Sequence, residues 1–190
     1  MRMKYLAAAA ACVALLMTPG VQAQSNFPPE EFQAIAIANN NLGSGAGRVD
    51  IRVTRWSSEA ERDRLVSALV DKGADELLKE LIKAKAVGYI KTPDSLGYDL
   101  HFASQRPGED GGRDIVIATD RPIGFWEASN RPRTIDYPFT VIQMHIGKDG
   151  KGKGTMSYAT KVRVIDRTIE LENFATAPVM LTEIEARPIK

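Results

Sequence analysis

Apolar and polar residues alternate along most of this chain, and one segment breaks the alternation with a helical period. From Arg48 to Trp56, Val49, Ile51 and Val53 fall on one face and Asp50, Arg52 and Thr54 on the other. That spacing predicts a strand with one buried face. Phe32–Ala38 reads as an earlier strand, with Ile35 and Ile37 on one side and small alanines on the other. Between the two lie Asn39–Asn41 and a run from Gly43 to Gly47 that reads as a flexible hairpin connection. It lacks the GxGxxG order of a phosphate loop, and no helix directly follows it.

Ser57-Ser58 ends the second strand, and Ser58 with Glu61 has the spacing of a capping box. The helix it opens runs to about Lys72 with an apolar stripe of Leu65, Val66, Leu69 and Val70. Gly73 stands where a C-cap belongs. A second helix, Asp75 to Lys85, carries Leu77, Leu78, Leu81 and Ile82, with an acidic first turn and a basic last turn. Residues 58–85 are therefore expected to form a helical hairpin that rests on an apolar surface.

The remainder reads as strands and turns: Val87–Lys91, Tyr98–Ser104, Arg113–Thr119, Phe139–Ile146, Thr155–Ile165, Thr168–Phe174 and Val179–Ala186. In Tyr98–Ser104, the residues Tyr98, Leu100 and Phe102 are expected to be buried, with Asp99 and His101 opposite. The pair around Asp166-Arg167 is the best determined. A tight turn sets Val164 against Ile169 and Val162 against Leu171 on an inner face. It also sets Arg163 against Glu170 and Lys161 against Glu172 outside. Slipping by one residue would bury four charges, so the apolar pattern and the charges select the same register.

These elements predict an α+β fold that is mostly β. The expected architecture is a curved antiparallel sheet or barrel of about eight or nine strands, with the helical hairpin inserted after the second strand. The order is loosely that of helix-grip folds, but their long C-terminal helix is missing, and no family is assigned.

The N-terminus changes the address. Arg2 and Lys4 precede an apolar run, Leu6–Met17, then a Pro-Gly break and Val21-Gln22-Ala23. This is the build of a secretory signal peptide, cleaved after Ala23, and the run is too short to span a bilayer. Cys12 lies too early for a lipoprotein site. The expected organisation is a signal at 1–23, a flexible lead at 24–30 and one domain at 31–190, secreted or periplasmic. Cleavage removes 23 of 190 residues and leaves 167, enough for one domain with a core. Basic residues fall from 25 to 23 against 24 acidic ones, net −1, which calls for neither nucleic acid nor an anionic membrane. The only cysteine leaves with the signal, so no disulfide or thiol chemistry is expected. Nothing in the mature chain is long and apolar enough to span a membrane.

Candidate chemistry concentrates in the long connection Asp120–Pro138. Its Arg121, Trp126, Glu127, Arg131, Arg133, Asp136 and Tyr137 exceed what a turn needs. Arginine beside aromatic residues suits recognition of an anion or a partner. The same composition also suits an internal ion-pair network that pins the loop. Asp120, Glu127 or Asp136 would supply the carboxylates of a hydrolase. Against this, Asp120 and Asp136 precede Arg-Pro and Tyr-Pro, where aspartate commonly anchors a turn.

The two histidines, His101 and His145, read as outer-face strand residues without metal-ligand spacing. No GxSxG nucleophile elbow is present. Lys148, Lys151 and Lys153 read as a solvated hairpin tip. The first reading is a non-catalytic binding domain for a small molecule or a protein, with a rim at 120–138 and no cofactor or metal. The alternatives are a carboxylate hydrolase and a structural envelope protein without a pocket.

Overall fold

The computed structural model describes residues 27–40, 43–93, 95–123, 137–165, 168–175 and 177–189. The signal-peptide reading and its cleavage site lie outside them. In chain order the elements are β1 (Glu30–Asn40), β2 (Gly43–Val53), α1 (Glu59–Lys72), α2 (Ala74–Lys83), β3 (Gly88–Lys91), β4 (Tyr98–Leu100), β5 (Phe102–Pro107), β6 (Arg113–Thr119), β7 (Phe139–Ile146), β8 (Lys151–Ile165), β9 (Thr168–Asn173) and β10 (Val179–Pro188). All strand pairs are antiparallel. The order across the sheet is β4-β3-β2-β1-β10-β8-β7-β6-β5, with β9 paired to β8.

The path curls into a nearly closed barrel. β4 pairs with β3, β5 pairs with β6, and only His101 separates β4 from β5. The His101 amide donates to the Ala118 carbonyl at 3.1 Å and carries the ladder across the break. With β4 and β5 on one stave, β1 and β6 stand four steps apart in either direction, on opposite walls. A barrel of this size is just wide enough for side chains to fill. Phe32, Ile51, Ile90, Leu100, Ile115, Ile117, Ile142, Ile146, Met156 and Leu181 do so, each under 2% exposed.

In the first strand it is the alanine face that lies inside. Phe32, Ala34 and Ala36 face the core, while Ile37 is exposed opposite Met180. The small alanines leave room for the bulky isoleucines of the opposite wall. The glycine-rich run is also strand, not loop: β2 pairs with β1 continuously from Val53 to Gly43. An added Cβ at Gly45 or Gly47 would meet nothing within 4 Å, so these two positions face open space.

The helical hairpin forms as its caps dictate. The Ser58 hydroxyl accepts from the Glu61 amide, and the Glu61 carboxylate accepts from the Ser58 amide. Arg55 holds the same carboxylate through both terminal nitrogens, and these bonds with the Ser58 amide lower the Glu61 pKa. Gly73, at φ 88°, ends α1 and starts α2. The buried stripe is narrower than the sequence implies. Leu65, Leu69, Leu77 and Leu81 are buried, whereas Val66, Val70 and Ile82 are exposed.

The hairpin lies on the outside of the barrel, and this gives β5 to β8 two covered faces. Its leucines pack with Phe139, Val141 and Val162, next to Phe102, Val116, Ala118, Val164 and Leu171. Alternation alone puts the β6 and β7 residues outside; two irregularities bring Phe102 and Val162 to the same side. The interruption at His101 shifts the alternation by one, so Leu100 and Ala103 point inward and Phe102 points out, opposite to expectation. On β8 the register slips between Phe139↔Thr160 and Val141↔Ser157. Met156 and Tyr158 therefore join the barrel core, while Val162 joins the outer cluster. The β8–β9 register is the expected one, from Val164↔Ile169 to Lys161↔Glu172. Its apolar face, however, belongs to the outer cluster and not to the barrel interior.

Candidate ligand cleft

Two of the seven loop residues singled out in the sequence lie among the described residues. Trp126, Glu127, Arg131, Arg133 and Asp136 lie outside them. The Arg121 carbonyl accepts from the Thr140 hydroxyl at 2.8 Å, and its Nε stands 4.0 Å from the Asp120 carboxylate. The Tyr137 hydroxyl donates to Glu172 at 2.9 Å. The Tyr137 ring packs edge-on against Phe174, with the Lys161 ammonium 4.4 Å from its centroid. Each is tied to a different part of the sheet. Asp120 is engaged with the Thr119 hydroxyl at 3.1 Å and with His101 Nε2 at 3.5 Å.

The histidines occupy separate sites. His101 Nδ1 donates to the Ala84 carbonyl at 2.8 Å and so fastens the end of α2 to the break between β4 and β5. His145 is clamped between two carboxylates, Nδ1 to Asp114 at 2.8 Å and Nε2 to Asp110 at 2.9 Å. Both ring nitrogens face acceptors, which favours the imidazolium, and the bonds to Asp114 and then Asp110 raise the His145 pKa. Asp110 is lowered first by the Gly112 amide and then by His145; Asp114 is lowered chiefly by His145. Among the described residues no group of three or more His, Cys, Asp or Glu side chains could hold a metal ion. No described helix is long and apolar enough to cross a membrane.

A concave apolar surface lies where the helical hairpin meets the sheet. A half-open cleft of about 270 Å³ lies between α1 and α2 on one side and β5 to β9 on the other. The helices contribute Leu65, Val66, Leu69, Leu77 and Leu81. The sheet contributes Phe102, Val116, Ala118, Phe139, Val141, Val162, Ile169 and Leu171. Among the described residues that line it, two are polar, Arg62 and Gln143. An apolar cavity of about 150 Å³ already takes benzene, so this space suits a larger apolar guest.

The cleft exists because the helices touch the barrel unevenly. Leu81 is 1% exposed and Phe139 is 1% exposed, which marks the closed end; Val66 and Ile169, at 43% and 53%, mark the open one. Neither Arg121 nor Tyr137 lines it. Sequence reasoning missed these residues because it treated each strand as having one buried face. The signal was present in Phe139-Thr-Val-Ile142, four successive positions that are all buried. A strand covered on both sides reads as a continuous run rather than as an alternation.

Comparison with protein-family models, curated proteins and solved structures found no match for the chain.

Proposed function

We propose that this chain is a secreted or periplasmic, non-catalytic binding domain that holds a small apolar molecule in the cleft beneath its helical hairpin. One observation carries the reading: the cleft is lined from both sides by apolar side chains, in the manner of a ligand pocket with few polar groups. The barrel interior is filled by its own side chains, so the guest sits outside the barrel and under the helices. Burial of apolar surface drives the association at about 25 cal/mol per Å² removed from water, less the cost of immobilising the ligand.

The test is a thermal-shift titration of the mature protein with decanol, which has a single flexible apolar chain. A ligand bound only to the folded state raises the unfolding midpoint with concentration. Ala118→Phe, which adds a ring to the cleft floor, is expected to abolish the shift while the unliganded protein stays folded. An equal shift in both proteins, or none in the wild type, would overturn the proposal.

A further inference from the structure

We infer that the cleft selects a single-chain amphiphile with an anionic head, the head seated on Arg62 and the tail between the helices and the sheet. This rests on the proposed binding role of the same cleft and names the class of molecule it takes.

Arg62 is the one cation lining the cleft among the described residues, and every other lining side chain except Gln143 is apolar. It lies one turn from the start of α1, beside Leu65, Val66 and Leu69, whose side chains form one wall of the cleft. Residues three, four and seven positions on from Arg62 share its side of the helix, so the guanidinium and the wall belong to one face. A tail against Leu65 and Leu69 therefore brings its head to Arg62.

The present partner of the guanidinium is a weak competitor. Arg62 Nη2 reaches the carboxylate of Asp63 at 3.0 Å, but the side chains are 47% and 65% exposed and the residues are sequence neighbours. Exposed pairs of this kind contribute little. A planar head such as a carboxylate can engage the guanidinium through two parallel N–H donors, and these bonds strengthen where apolar walls displace water. A neutral head would leave the cation no better satisfied than Asp63 leaves it. A cationic head would be repelled.

The experiment compares decanoate with decanol, which share a tail and differ in the head, by displacement of an environment-sensitive dye from the mature protein at neutral pH. Decanoate is expected to bind about tenfold more tightly, the gain of one charge-assisted hydrogen-bonded contact. Arg62→Gln should remove that preference, so that decanoate binds the variant no more tightly than decanol does. Arg62→Lys should retain part of it. Glutamine is close to arginine in helix propensity, so the unliganded midpoint is expected to hold. Equal affinity for the two molecules in the wild type, or a preference that survives in Arg62→Gln, would overturn the inference and leave the apolar cleft standing. Failure of both molecules to bind would overturn the inference together with the binding role.

Discussion

Arg113 and Glu30 face each other across one end of the barrel in a two-pronged pair, Nη1 to Oε2 at 2.6 Å and Nη2 to Oε1 at 2.7 Å. They begin strands on opposite walls, so the pair ties the barrel across its width. Gln105 accepts a further bond from Arg113 at 2.8 Å, and the guanidinium lies 6.0 Å from the Phe32 ring centroid. Glu30 is 8% exposed, which leaves its carboxylate poorly served by water if Arg113 is lost.

Arg113→Met should therefore cost about 2–4 kcal/mol, towards the lower side of what breaking a buried pair costs because the arginine is still partly exposed. The double variant Glu30→Leu with Arg113→Met should recover most of that loss, since no charge is stranded. Urea unfolding of the single and double variants measures both. A double variant less stable than Arg113→Met would contradict the account.

The Asp110–His145–Asp114 clamp predicts a stability window in pH. The His145 pKa is raised above its ordinary value of 6.5, so its contribution is fully present below that value and is lost as pH rises through the folded pKa. Asp110 and Asp114 are lowered below 3.8, so their contribution is present above that value and is lost as pH falls through the folded pKa. The clamp therefore acts between the two limits. The midpoint difference between wild type and His145→Gln should shrink as pH is raised from about 6 to 9. A difference that stays constant over this range would count against the clamp.

Gly88 begins β3 and pairs with Val53 at the end of β2. A Cβ there would lie 1.8 Å from the carbonyl oxygen of Arg52, an atom fixed in the backbone. Gly88→Ala should cost about 3 kcal/mol or more, because a strand pair has to part. Gly45→Ala meets open space and should change stability by less than about 0.5 kcal/mol. Equal denaturation midpoints for the two variants would show that the contact is not limiting.

Ser58 links the end of the β-ribbon to the helical hairpin. Ser58→Ala removes the hydroxyl that accepts from the Glu61 amide and should cost about 1 kcal/mol. Because α1 forms one wall of the cleft, the same variant should also weaken decanol binding modestly. Unchanged thermal stability would mean that packing alone holds the first turn.

Local elements were legible because their causes are local. The capping box at Ser58 and Glu61, the glycine at 73 and the charge-matched β8–β9 hairpin each depend on residues a few positions apart. The glycine ribbon was misread because strand formation at Gly43–Gly47 depends on pairing with β1 and not on the residues themselves. The candidate cleft was not legible. Its walls come from α1, α2 and β5 to β9, and no short segment contains more than a strip of it.

Residue pattern alone was enough to place most strands, though not the Gly43–Gly47 part of β2, and to show where the helical hairpin begins and turns and how β8 pairs with β9. The buried face of β2 was legible from Val49, Ile51 and Val53, but tertiary packing decided which faces of β1, β5 and the far part of β8 lie inside. A period of two distinguishes two faces but does not say which one meets the core, and here the helices cover the outer face of β5 to β8 as well. The break at His101 and the slip on β8 then exchange the faces partway along a strand. Packing against the helices resolves that ambiguity, and the cleft lies where their leucines and the sheet do not fully meet.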